Sequence, residues 1–178
     1  MELWDIYDEN RTKTGRQIVR GQKVPAGYYH IIVHIALFNE KGQMLIQKRQ
    51  QGKQAWPGLW DISAGGCVKA GESSRLGAAR ELAEELGITG CEKLMHRILT
   101  IEFEGGLDDI YILKMKQDAT EFTLQKEEVS EVKWVDEKEI DDLIERGGFV
   151  PYHKSHLALI FDMALRADPF SSVDATEE

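Results

Sequence analysis

Short stretches of alternating apolar and polar residues fill the first third of the chain and predict β-strands joined by turns. Leu3–Tyr7 and Gln17–Arg20 flank the polar segment DENRTKTG, which predicts an N-terminal hairpin with a long turn. Tyr29–Asn39 is rich in β-branched and aromatic residues, and the turn EKG separates it from the alternating stretch Met44–Arg49. These two stretches therefore predict a second hairpin.

The first helix is predicted over Ser74–Leu86, because Ser73 or Ser74 can cap its start and Gly87 stands where a left-handed C-terminal cap belongs. On a helical wheel the apolar residues fall on one side, and these are Leu76, Ala79, Leu82, Ala83 and Leu86. Three glutamates fall on the opposite side: Glu81, Glu84 and Glu85. The pattern predicts one face packed in the core and one face carrying three carboxylates.

The second half of the chain predicts one more hairpin, a strand and two helices. The strands are expected over Met95–Glu104, Asp109–Lys116 and Val129–Val135. Asp136 with Glu139 resembles a capping box for a helix to about Arg146, and Pro151 suits the start of a helix over Tyr152–Arg166. We expect one α+β domain over residues 1–168, with residues 1–28 as a hairpin extension and residues 169–178 as a flexible tail.

Composition fits a single domain with a real core, since 42% of the 178 residues are hydrophobic. The 22 basic and 31 acidic residues give a net charge of −9, which disfavours nucleic acid and anionic membranes as partners. Two cysteines, Cys67 and Cys91, are too few for a disulfide framework and fit a reducing compartment. Neither a signal-peptide pattern nor a membrane-spanning stretch is present, so we expect a cytoplasmic protein.

The three helical glutamates suggest chemistry as well as solubility. Like charges at this spacing repel by a few tenths of a kcal/mol per pair, so grouping them has a small cost. Hard oxygen donors on one helix turn are what Mg²⁺ prefers, with Mn²⁺ as a substitute, especially where substrate phosphates complete the coordination shell. An acidic helix face can equally be a solvated surface, and the glutamates alone do not separate the two interpretations.

The segment Gly66–Ile88 resembles the Nudix box, G-x5-E-x7-R-E-U-x-E-E-x-G-U with U a bulky apolar residue, and matches it at every fixed position. The resemblance implies an α/β/α sandwich with a mixed β-sheet, in which the box forms a loop–helix–loop. It implies that Glu81, Glu84 and Glu85 bind a divalent metal together with the carbonyl of Gly66. It also implies that Arg80 and Glu72 join the loop to the helix through an ion pair.

The resemblance further implies hydrolysis of a small-molecule pyrophosphate by metal-activated water, with a carboxylate from a later loop often acting as the base. Candidates for that carboxylate are Glu127, Glu128 and Glu131, and we take Glu128 as the leading one. The predicted catalytic residues are therefore Glu84, Glu85 and Glu128, with Gly87 as part of the box architecture.

The sequence ahead of the box and at its start, FNEKGQMLIQKRQ, AWPGLWDISAGG and GESS, resembles the isopentenyl-diphosphate isomerase-like branch of the family. True isomerases carry a catalytic cysteine at the position of Gly65 and a metal-binding histidine at the position of Cys67, whereas His30 matches another of their metal histidines. The isomerases also depart from the box that this chain keeps whole. A hydrolase is therefore favoured, and the alternatives are an isomerase and a non-catalytic nucleotide-sensing module.

Substrate contacts are expected just ahead of the box. Trp56 and Trp60 can stack on a nucleobase or form a hydrophobic plug under the box loop. Lys48 and Arg49 end a strand and can meet a substrate phosphate, although exposed bases at strand ends are ordinary. The N-terminal hairpin can serve as a homodimer element or cover a sheet edge, and the sequence does not separate these roles.

Overall fold

The computed structural model of the protein describes residues 1–116 and 119–165. Nine strands and three helices lie in this part of the chain, with a 3₁₀ turn at Ala119–Glu121. The strands are β1 (Leu3–Tyr7), β2 (Lys13–Val19), β3 (His30–Phe38), β4 (Met44–Arg49), β5 (Trp60–Ile62), β6 (Ala64–Cys67), β7 (His96–Phe103), β8 (Gly106–Lys114) and β9 (Val129–Val135). The helices are α1 (Ser74–Leu86), α2 (Glu137–Glu145) and α3 (Lys154–Leu165).

Strand β3 is central to a seven-stranded mixed sheet. It runs parallel to β8 and antiparallel to β6 and β4, while β7 extends the sheet beyond β8 and β4 also pairs with β5 and β9. One face packs against α1 through a buried cluster that includes Leu82 and Leu86, and the other packs against α2 and α3 through Ile140 and Phe161. The predicted α+β fold, an α/β/α sandwich around a mixed sheet, is confirmed.

Helix α1 has the predicted bounds, with the Ser73 side chain accepting a hydrogen bond from Leu76 N and with Gly87 in the left-handed region at φ +71°. The predicted orientation of the helix is wrong in two places. Leu76, expected in the core, is 55% exposed, whereas Glu85, expected on the open face, is only 5% exposed. The helix instead packs on the sheet through a narrow stripe that includes Gly77 and Ala78, so the polar Glu85 is carried into the interior.

The N-terminal hairpin is docked on the sandwich of the same chain. Its second strand begins at Lys13, earlier than predicted, because the Asp8 carboxylate accepts hydrogen bonds from the backbone of Asn10 and Thr12 and closes a shorter turn. The Arg11 guanidinium forms an ion pair with Asp109, whose side chain is fully buried. The hairpin therefore contacts the sandwich of its own chain, and its status as an extension of the domain and homodimerisation both stay predictions.

The later elements follow the predicted order. The turn between β7 and β8 is shorter than expected, with Gly105 at φ +77°, so β8 begins at Gly106 and includes both Asp108 and Asp109. Asp136 caps α2 by accepting a hydrogen bond from Glu139 N at 2.8 Å. The predicted tail at 169–178 and the last residues of the predicted domain, 166–168, lie outside the described residues. No helix in the described part of the chain is both long and apolar enough to cross a membrane.

Candidate active site

The box begins where Gly66 on β6 faces α1. A Cβ atom added to Gly66 would lie 2.5 Å from Cδ of Glu81, closer than side-chain atoms pack, so a larger residue would displace this carboxylate from its position. The Glu81 side chain is 12% exposed, and its burial raises the pKa of the carboxyl. The geometry explains why a glycine stands opposite the first helical glutamate of the motif.

The Arg80 guanidinium connects the loop and the helix. It donates hydrogen bonds to both carboxylate oxygens of Glu72, at 2.9 and 3.1 Å, and to the backbone carbonyl of Cys67 at 2.9 Å. The same guanidinium donates to Glu81 at 2.7 Å and to Glu84 at 3.1 Å. Arg80 therefore holds the loop ahead of the helix in place and also offsets part of the repulsion between the box glutamates.

Glu85 is the buried member of the glutamate group. Its Oε2 accepts hydrogen bonds from the side chain of Gln47 and from the backbone N–H of Gly65, both at 3.1 Å. Burial, followed by the nearby charge of Glu81, raises the pKa of Glu85 to about 8. Among the described residues, no donor reaches Oε1, so this oxygen is left for a proton or a cation.

The carboxylates of Glu81, Glu84 and Glu85 are of the chemical type that binds a divalent cation, although their side chains are not arranged around one. In the described part of the chain, no three histidine, cysteine, aspartate or glutamate side chains are gathered at metal-binding geometry. Glu81 and Glu84 contact Arg80, and the raised pKa of Glu85 favours a bound proton. The three carboxylates are hard oxygen donors that lie beside one another. An arginine and a proton neutralise them here, and a bound cation can take the place of both.

The carboxylates of Glu81, Glu84 and Glu85 lie along one wall of a cleft of about 540 Å³. Glu128 and Lys53 form an ion pair that also lines it, and Trp56 lies at its edge with 49% of its surface exposed. Trp56 has a left-handed backbone at φ +51°, an uncommon conformation for a bulky side chain. A chain of buried and half-buried polar side chains lines another part of the same cleft: Arg49, Asp61, Tyr152, His34 and Asp108.

This chain of polar side chains is continuous. Arg49 donates to Asp61 at 2.9 Å, and the Tyr152 hydroxyl donates to the other oxygen of Asp61 at 2.9 Å. The Tyr152 hydroxyl also contacts Nε2 of His34 at 3.1 Å, while Nδ1 of His34 lies 2.8 and 2.9 Å from the two oxygens of Asp108. Burial opposes a charged ring, but the Asp108 carboxylate outweighs it and raises the pKa of His34 to about 9.

The structure brings some of the predicted substrate contacts to the cleft and leaves others away from it. Trp56 and Arg49 line it, but the Arg49 guanidinium is already bonded to Asp61 and to the carbonyl of Ala55. Lys48 and Trp60 do not line it; the Lys48 ammonium lies 5.8 Å from the centre of the Trp60 ring. Lys53 is therefore a better placed cation than Lys48 for meeting a substrate phosphate.

Of the three candidate bases, the structure places only Glu128 in the lining of the cleft. Sequence reasoning did not single out four cleft residues for chemistry: Lys53, Asp61, Asp108 and Tyr152. A signal existed for the two aspartates, because each interrupts an apolar strand segment, LWDIS for Asp61 and LDDIYIL for Asp108. A charged residue within a buried strand needs partners, and that need marks a polar site.

The isomerase-like resemblance has limited support. An isopentenyl-diphosphate Delta-isomerase of Streptomyces avermitilis is 36% identical over 87 residues, which cover 49% of this chain and 44% of the isomerase. A Cβ atom at Gly65, where the isomerase thiol is expected, would lie 2.6 Å from Cδ2 of His34. His34 thus fills the space that the thiol needs.

Comparison with known proteins agrees with the geometry of the box. The NUDIX domain family model matches residues 28–158. An uncharacterized Nudix hydrolase of Listeria monocytogenes is 43% identical over 152 residues, covering 85% of this chain and 90% of its own length. The crystal structure of DR0079 from Deinococcus radiodurans superposes with a TM-score of 0.73 at 23% identity, over 93% of this chain and all of that one. The chain therefore belongs to the Nudix family and is a pyrophosphohydrolase.

Proposed function

We propose that the protein is a Mg²⁺-dependent hydrolase that cleaves the pyrophosphate link of a nucleoside diphosphate joined to a second moiety, or of a related organic pyrophosphate. The observation that carries this proposal is the placement of the whole glutamate group on the wall of one cleft. Glu81, Glu84 and Glu85 line it together with Gly66, and the Glu128–Lys53 pair lines it as well. Metal donors, a candidate base and a cation thus share a space of a size suited to a small molecule.

Glu81, Glu84 and Glu85 are the residues that would hold the metal, with the Gly66 carbonyl as a further oxygen donor. When bound, Mg²⁺ neutralises the anionic pyrophosphate and lowers the pKa of water in its coordination shell. Arg80 keeps its contacts with Glu72 and the loop carbonyl, so the loop stays in position after Arg80 releases the other glutamates.

Glu128 is the residue that accepts the proton of the attacking water. Its ion pair with Lys53 orients the carboxylate within the cleft, and Lys53 is close enough to share its charge with a substrate phosphate. Lys69, which lies 3.4 Å from Glu84, also lines the cleft and is a second candidate for that contact.

Trp56 is the proposed contact for a planar base. Its half-exposed side chain lines the cleft, and a planar base can stack on an indole ring. The isomerase is disfavoured because His34 occupies the space at Gly65. The non-catalytic sensor is disfavoured because the box glutamates are all present and share the cleft.

A phosphate-release screen with Mg²⁺ tests the proposal. The panel contains nucleoside triphosphates, nucleotide sugars, ADP-ribose, dinucleotides and coenzyme A, each with and without a coupling phosphatase. We expect at least one compound to be hydrolysed by the wild type, and we expect that activity to disappear with EDTA and in Glu85→Gln. Absence of turnover on every compound, or full activity in Glu85→Gln, would contradict the proposal.

A matched pair of variants tests the base. Glu128→Gln keeps the shape of the side chain and removes its proton affinity, so kcat should fall 10²- to 10⁴-fold. Glu127→Gln is the control, because Glu127 is the exposed neighbour and does not line the cleft. Similar small losses in the two variants would show that another group takes the proton.

A further inference from the structure

Asp108 is a buried carboxylate with few partners in the cleft. It is 8% exposed and lines the cleft. Among the described residues its only hydrogen-bond donor is Nδ1 of His34, shared between its two oxygens. An ionised carboxylate offers about four acceptor sites, and buried polar groups normally find partners for them. Acceptor capacity therefore remains at Asp108.

Two neighbouring buried aspartates show the contrast. Asp61 accepts three hydrogen bonds, from Arg49, Tyr152 and the backbone N–H of Ile62. Asp109 points to the opposite face of β8, away from the cleft. It is bonded to four side chains: Arg11, Ser74, Arg97 and Thr100. The fold thus satisfies both of these carboxylates and leaves Asp108 with a single donor.

The orientation of Asp108 is held by its partner. Both ring nitrogens of His34 are in contact, Nδ1 with Asp108 and Nε2 with the Tyr152 hydroxyl, so the ring cannot turn without losing one of them. On the strands beside it, Asp108 is paired in register with Ile32 on β3 and Ile101 on β7, and both side chains line the cleft. One fixed acceptor thus lies between two apolar walls.

The surroundings of Asp108 favour one chemical class of substrate group. A phosphate would be repelled by the carboxylate, and a purely hydrocarbon group would leave the carboxylate without a partner. A hydroxyl group on a carbon skeleton suits both the carboxylate and the apolar walls, because its O–H donates to Asp108 while its carbons contact the isoleucines. Nδ1 of His34 lies 2.8 Å from the Asp108 carboxylate, which raises the pKa of His34 to about 9, so a protonated ring offsets the charge of Asp108 at neutral pH and a cationic group has no advantage there.

We propose that Asp108 is a specificity-determining residue that accepts a hydrogen bond from a hydroxyl group of the substrate, such as a sugar hydroxyl. The proposal rests on the proposed hydrolase function and deepens it, since it names a hydroxylated moiety next to the pyrophosphate. It assigns His34 as the positioning residue that fixes the Asp108 carboxylate.

The test compares substrates with and without hydroxyl groups. ADP-ribose and nucleotide sugars form the first set, and dialkyl pyrophosphates form the second. For the wild type we expect kcat/KM to be at least tenfold higher for the best hydroxylated compound. In Asp108→Asn this kcat/KM should fall about tenfold through KM, because a hydrogen bond to a charged acceptor becomes one to a neutral acceptor. In the same variant, kcat/KM for dialkyl pyrophosphates should change less than threefold.

Two further variants complete the design. Asp108→Ala removes the acceptor entirely and should cause a larger loss of the same discrimination. Asp141→Asn is the control, since Asp141 lies on α2 and does not line the cleft. Equal losses on both substrate sets, or unchanged discrimination in both Asp108 variants, would overturn the proposal and leave only a water molecule as the partner of Asp108.

Binding measurements separate this proposal from the hydrolase itself. Calorimetry with Mg²⁺ measures the affinity of Glu85→Gln, with and without Asp108→Asn, for the same compounds. Discrimination in binding without any wild-type turnover would contradict the hydrolase and support the hydroxyl subsite. Turnover by the wild type without discrimination would support the hydrolase and contradict the subsite. Failure of every compound to bind would contradict the subsite.

Discussion

Glu85→Gln is expected to make the metal-free protein more stable while abolishing its activity. The substitution keeps an oxygen that can accept the hydrogen bonds from Gln47 and from the backbone of Gly65. It removes a carboxyl group that is 5% exposed and whose ionisation is disfavoured in the interior. Stability and function are therefore expected to move in opposite directions at this position.

The magnitude follows from the pKa of Glu85. Burial raises this pKa from the ordinary 4.5 to about 8, so between these values the folded protein keeps a proton that the unfolded chain has released. The free energy of unfolding therefore falls as pH rises from 4.5 through 8. At about 1.4 kcal/mol per pKa unit the full effect is about 5 kcal/mol, and relaxation around the charge makes this an upper bound.

The assay is urea denaturation of the wild type and Glu85→Gln in EDTA at several values between pH 5 and pH 9. The difference in unfolding free energy isolates this one group, because the other titrating groups are common to both proteins. We expect the advantage of the glutamine variant to grow by at least about 1 kcal/mol over this range, equivalent to about 2–4 °C in Tm. Mg²⁺ should stabilise the wild type more than the variant, because it binds the ionised carboxylate.

Glu127→Gln, an exposed substitution of the same kind, is the control and should change the unfolding free energy by less than about 0.5 kcal/mol. A pH-independent difference for Glu85→Gln would refute the reasoning, since it would mean that Glu85 ionises as easily in the folded protein as in the unfolded chain. A wild type that becomes more stable relative to the variant as pH rises would refute it more strongly.

Two other substitutions test the fold around the site. Gly66→Ala should lower turnover at least tenfold with an unchanged circular dichroism spectrum, because the added methyl group displaces the Glu81 carboxylate; Gly52→Ala, with open space around it, should keep full activity. Arg11→Met should lower the unfolding free energy by about 3 kcal/mol in urea denaturation, because it leaves the buried Asp109 carboxylate without its main partner. A loss below about 1 kcal/mol would mean that the remaining partners of Asp109 suffice.

Elements whose determinants are local could be predicted well from the sequence. Helix α1 has its predicted bounds because a capping serine and a left-handed glycine act within one turn of its ends. Strands β4 and β9 also have their predicted bounds, since alternation along the chain marks both of them. The hairpins were predicted with less accurate turns, because side-chain hydrogen bonds such as those of Asp8 decide where pairing begins.

The orientation of α1 could not be predicted from its own residues. A helical wheel separates apolar from charged positions, but which charged position faces the sheet depends on what the sheet offers. Gln47 and the backbone of Gly65 supply donors, and these make the burial of Glu85 possible. That burial, and the raised pKa that follows from it, arises from packing between elements.

The sequence by itself determined the family, the metal-ligand candidates and the ion pair of the box, because the spacing of these residues is set within one loop and one helix. Tertiary structure alone decided the rest of the cleft. Lys53 meets Glu128 across 75 positions, His34 meets Asp108 across 74, and Tyr152 meets Asp61 across 91. Contacts at such separation are formed by the pairing of strands and the packing of helices on them, and no local periodicity encodes them.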